Sequence, residues 1–72
     1  MEFATLVQSF KIKSLLFGLY AFDGVVYDRF AQAYFAARDA AHSWLKANVQ
    51  KEERGDYRVI GSQFGVSVYK VN

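Results

Sequence analysis

The 72-residue chain contains no cysteine and no proline. Without cysteine it has neither a disulfide staple nor a thiolate metal site, so a chain near the lower size limit must hold together by packing or by a partner. No proline-rich linker, low-complexity run or internal repeat divides it, and residues 1–72 are expected to form a single small domain. Glycine is sparse and scattered: five residues, none with the spacing of a phosphate-binding or dinucleotide-binding loop. There is one histidine and little charge of either sign in excess, nine basic residues against seven acidic. That balance permits a phosphate-binding stripe without indicating one.

A long apolar run is also missing. Leu15–Phe22 ends after eight residues at Asp23-Gly24, against about 20 for a bilayer-spanning helix. No transmembrane segment is therefore expected. Glu2 in the leading segment and the lack of a clean cleavage site argue against a secretory signal. Cytoplasm is the default compartment.

What the chain has in abundance is rings: seven Phe, five Tyr and one Trp. Each can bury roughly 150–250 Å², more than so small a body can enclose thirteen times over. Some are expected at the surface, where aromatic side chains mark interface cores.

The spacing predicts a helix over residues 28–50. Phe30, Tyr34, Ala37, Ala41, Trp44, Leu45 and Val49 recur at three and four residues, and Gln32, Asp39, His42, Ser43, Lys46 and Gln50 supply the polar side. Asp28 is the expected N-cap, and Gly55 in the charged run after the helix can take a left-handed conformation. Residues 57–71, rich in β-branched and aromatic side chains, read as a hairpin turning at Gly61-Ser62. That register sets Val59 opposite Phe64 and Tyr57 opposite Val66. Tyr57, Val59, Phe64, Val66 and Val68 then share the buried face, with Arg58, Gly65, Ser67 and Tyr69 on the other.

The N-terminal third is ambiguous. Phe3, Leu6, Val7 and Phe10 fit a short amphipathic helix, whereas Phe10 and Ile12 alternate with Lys11 and Lys13 as in a strand. Ser14–Phe22 reads as strand. Asp23-Gly24 reads first as a type I′ turn returning through Val25, Val26 and Tyr27, since both central positions need positive φ; second, Asp23 could cap a longer helix. The eight residues "FGLYAFDG" also resemble the AGLIDADG portion of the LAGLIDADG homing-endonuclease motif, which implies a packed helix with Asp23 at its metal-binding end. Ala21 stands where that motif has its first acidic residue, and the chain lacks the length of that enzyme's unit.

The expected fold is α+β: a small antiparallel sheet of two hairpins, about four strands, packed on one long Ala-rich helix. His42, alone and next to Ser43 and Asp39 on one helix, cannot assemble a triad or a metal site. No enzymatic activity and no cofactor are expected. The expected function is a non-enzymatic binding module acting on another protein or on itself as a homodimer, with the C-terminal strand as an open edge for pairing. The alternative is single-stranded nucleic acid, bound by cations beside an aromatic on the open sheet face: Lys11, Lys13, Arg58 and Tyr69.

Overall fold

A computed structural model describes residues 3–72. One helix, α1 (Phe30–Asn48), runs across strands of two antiparallel sheets. Ala33, Ala37, Ala41, Leu45 and Val49 are buried along it at four-residue steps, with Phe30, Tyr34 and Trp44 half-buried beside them. Three alanines in that row let the helix backbone approach the sheet closely, and alanine costs nothing in helix propensity. The N-cap is Arg29, with no side-chain cap hydrogen bond, so Asp28 does not cap the helix. Val49 closes it in an extended conformation and a short 3₁₀ segment, Lys51–Asp56, follows. Gly55 is not in the left-handed region, because that extended cap already turns the chain.

The larger sheet orders β1 (Ala4–Lys11), β6 (Gly65–Val71) and β5 (Tyr57–Ser62), with β6 in the centre. The N-terminal residues are therefore strand rather than amphipathic helix. The open edges are β1 and β5, not the C-terminal strand expected to offer one. β6 lies inside because β1 pairs with it from Ala4↔Val71 to Lys11↔Gly65, interrupted by a bulge at Val7.

The C-terminal hairpin turns two residues later than expected. Ser62 pairs with Gly65 and Val59 with Val68, so Gln63-Phe64 forms the turn. Gly61 lies within the strand because Tyr34 crosses it: a Cβ there would overlap the tyrosine ring and hydroxyl. The glycine that serves the turn is Gly65, at φ +132° against the end of β1. A shift of two preserves strand parity. Tyr57, Val59, Val66 and Val68 accordingly share the helix-facing side, while Phe64 leaves it for the turn and is 69% exposed.

The smaller sheet orders β2 (Lys13–Ser14), β3 (Tyr20–Phe22) and β4 (Val25–Tyr27). Asp23 and Gly24, at φ 53° and 80°, form the primed turn, with Phe22 opposite Val25. The fold is α+β on one long helix, as expected, but the two hairpins belong to separate sheets with six strands among the described residues, rather than to one sheet of about four. The division falls at buried Ile12. Lys11 pairs within the larger sheet, Lys13 within the smaller, and the Ile12 amide donates to the Phe64 carbonyl at 3.0 Å. Ser14–Phe22 is not continuous strand, because Leu16–Gly18 makes a 3₁₀ turn. No helix passes through Phe17–Gly24, so the homing-endonuclease resemblance has no structural counterpart; Asp23 sits in a turn.

Aromatic rings join the two sheets. Tyr20 of β3 meets Phe30 edge-on at 5.5 Å, Phe30 lies 6.0 Å from Tyr34, and Tyr34 reaches Gly61 of β5. Such pairs contribute about 0.5–1.5 kcal/mol beyond their buried area. The fully buried interior is small by comparison, with Val66 and Val68 its largest enclosed side chains.

Candidate functional site

The larger sheet has two faces, and α1 covers only one. Register places Ala4, Leu6, Ser9 and Lys11 of β1 on the outer side. Val71, Tyr69, Ser67 and Gly65 stand beside them on β6, and Arg58, Ile60 and Ser62 on β5. A solvated antiparallel face ordinarily carries polar side chains at these positions. Here Leu6 and Ile60 are 53% and 52% exposed, on the two edge strands, with Tyr69 and Val71 half-buried on the central strand between them. The apolar residues gather toward one end, through Ala4, Leu6, Tyr69 and Val71 with Ile60 diagonal to Tyr69, while Ser9 and Ser67 pair in the middle and Arg58 and Lys11 supply the cations. The Val7 bulge on β1 breaks the regular ladder that edge-to-edge pairing would need, which leaves the face, rather than that edge, as the accessible surface.

The four residues expected to bind nucleic acid are only partly assembled. Arg58 and Tyr69 are directly paired across the strands, and Leu6 continues that row. Lys11 lies on the same face at the far end of β1, roughly 13 Å along the strand by its rise per residue. Lys13 belongs to the smaller sheet.

The guanidinium of Arg58 is also partly committed: Nη1 donates to the carbonyls of Gly55 at 2.6 Å and Tyr57 at 3.0 Å. Arg58 is also among the residues lining a groove of about 440 Å³ at the β5 edge. Leu45, Tyr57 and Val59 form the less exposed part of that groove; His42 and Lys46 of α1, Arg54 of the 3₁₀ segment and Arg58 complete it. No carboxylate is among its lining residues. In sequence these residues fall into separate patterns: His42 and Lys46 on the polar side of a helix, Arg54 in a mixed-charge run, Arg58 on the open sheet face, and Leu45, Tyr57 and Val59 on buried faces. The i, i+4 pairing of His42 with Lys46 was the available signal, but the return of the chain through Arg54 and Arg58 depends on the turn geometry after α1.

None of the thirteen rings is buried outright: nine are half-buried, and Phe3, Phe17, Phe35 and Phe64 are exposed. Phe17 is 96% exposed and adopts φ 63°, a left-handed conformation unusual for a residue with a Cβ. Among the described residues no group of three or more metal-ligating side chains occurs, and no helix is long and apolar enough to cross a membrane. The chain matches no protein-family model, and comparison with curated proteins and with solved structures found no match.

Proposed function

We propose that the chain is a non-enzymatic binding module acting by protein–protein interaction, and that its first partner is a second copy of itself, seated on the outer face of the β1-β6-β5 sheet. The observation that carries this reading is the exposure of Leu6 and Ile60, 53% and 52%, on the sheet face opposite α1, with Tyr69 and Val71 half-buried between them. Leu6, Tyr69 and Val71, with Ile60 diagonal to Tyr69, supply the apolar part of that face. Its cations, Lys11 and Arg58, repel their own copies weakly, so association should hold or tighten as salt rises.

Light scattering across protein concentrations, at low and high salt, tests the proposal. A dimer is expected at tens of micromolar protein, with the double variant Leu6→Lys, Ile60→Lys monomeric and still folded by circular dichroism. A wild-type monomer at every concentration and salt would refute it. Single-stranded nucleic acid on Arg58 and Tyr69 is the rival reading. Its support is their cross-strand pairing, and it demands an affinity that falls steeply with salt.

A further inference from the structure

The groove at the β5 edge shares Arg58 with the outer sheet face and Leu45 with the core, and opens between α1, the 3₁₀ segment and β5. We propose that it is a binding site for a phosphate monoester carried on a flat apolar body, the chemical class to which mononucleotides belong. Three features carry the inference. The first is charge. Three cationic side chains and a histidine, drawn from three elements, surround about 440 Å³ without a carboxylate among them. That volume lies within the range of small-ligand sites.

The second is the state of the two arginines. Arg54 directs Nε to the Val49 carbonyl at 3.1 Å and Nη2 to the Lys46 carbonyl at 3.4 Å, which satisfies acceptors at the end of α1. Its bidentate edge is occupied. Arg58 is held from the opposite end, through Nη1. Among the described residues no hydrogen bond engages its Nε–Nη2 edge, the two parallel donors that match a phosphate or carboxylate fork. Arg58 is thus fixed in place while its recognition edge stays available, which lowers the entropy lost on binding.

The third feature is the apolar wall. Leu45 is buried, and Tyr57 and Val59 are half-buried beside it. An inorganic ion would leave that wall unused, whereas a ring attached to the phosphate would cover it and lie against the Tyr57 side chain. In this arrangement Arg58 grips two phosphate oxygens, Lys46 and His42 contribute further donors, and Arg54 holds the helix end and adds charge.

The test is a nuclear magnetic resonance titration of the ¹⁵N-labelled full chain with adenosine monophosphate at low salt. Saturable shifts at His42, Lys46, Tyr57 and Arg58 are expected, with a Kd of about 0.1–1 mM. Adenosine alone and inorganic phosphate alone should each bind at least about tenfold more weakly, since each lacks half of the contacts. Arg58→Lys keeps the charge and removes the fork, and should weaken binding about fivefold. Lys46→Ala should weaken it about threefold without touching the carbonyl contacts of Arg58. Four results overturn the proposal: no saturable shift in the groove by 10-fold above that Kd range; wild-type affinity in both variants; inorganic phosphate binding as tightly as the monophosphate; or a single-stranded oligonucleotide binding far more tightly, with shifts spread over Lys11, Lys13 and Tyr69. The last would assign the cations to a polynucleotide.

Discussion

The two faces of the larger sheet are built from similar residues and meet different fates. Inward, Val59, Val66 and Val68 lie under α1, and Val68 is fully enclosed. Outward, Leu6 and Ile60 are more than half exposed and Tyr69 and Val71 half-buried, with no element of the described residues packed over them. A sheet that ended its life in water on one side would alternate apolar with polar along every strand. Here Leu6, Ile60, Tyr69 and Val71 interrupt that alternation on the outer side, beside Ser9, Ser67, Lys11 and Arg58. Apolar residues in a strand therefore do not by themselves tell which face the helix covers.

Substitution can break that comparison. Val68→Lys places a charge in the enclosed layer and should cost more than about 4 kcal/mol, enough to unfold so small a domain. Leu6→Lys, one face over, should move stability by less than about 0.5 kcal/mol when both proteins are dilute enough to be monomeric. Urea titration of both variants measures the contrast, and equal losses would mean that the outer face is not a free surface. A smaller effect sharpens the account of why β5 sits where it does. Gly61→Ala drives a methyl group into Tyr34 and should cost about 2 kcal/mol. In a Tyr34→Ala background the same change should cost less than about 0.5 kcal/mol, a coupling that a double-mutant cycle reads directly. Smallest is Phe17→Gly at the exposed 3₁₀ turn. Relief of its left-handed backbone should raise stability by about 0.5–1 kcal/mol, while loss of affinity for a partner in the same variant would give that strained, solvent-facing ring a function.

The legible parts of this fold were those set by local chemistry. The period of α1 selected its buried row, apart from Ala33, because one helical face is decided within a few turns. Asp23-Gly24 was readable as a turn because positive φ at both positions is what Asp and Gly tolerate and Val25-Val26 do not favour. Gly61-Ser62 carried the same local signal and was misleading. Its glycine answers to Tyr34, more than twenty residues away in sequence and invisible to any local rule. The split into two sheets was hidden for a related reason, since the alternation of Phe10, Lys11, Ile12 and Lys13 continues unbroken through the point where the chain changes partners. Parity survived both surprises, so the side of the sheet bearing Arg58 and Tyr69 was correctly inferred. The distribution of cations was not, because Lys13 follows the second sheet and Arg58 is also among the residues lining the groove at the strand's edge.

The central place of β6 sets the order in which the protein can assemble. Its neighbour β1 is made first, and the Thr5 hydroxyl accepts a hydrogen bond from the Asn72 side chain across 67 positions of sequence. On the ribosome, β1 must wait until the whole of β6 has emerged before either of its faces has a ladder to join. Sheets closed by such distant pairings form slowly, and throughout that delay Leu6, Val7 and Phe10 are displayed together on an unpaired strand. Until β6 emerges, chaperone capture or premature self-pairing during synthesis should centre on Ala4–Lys11.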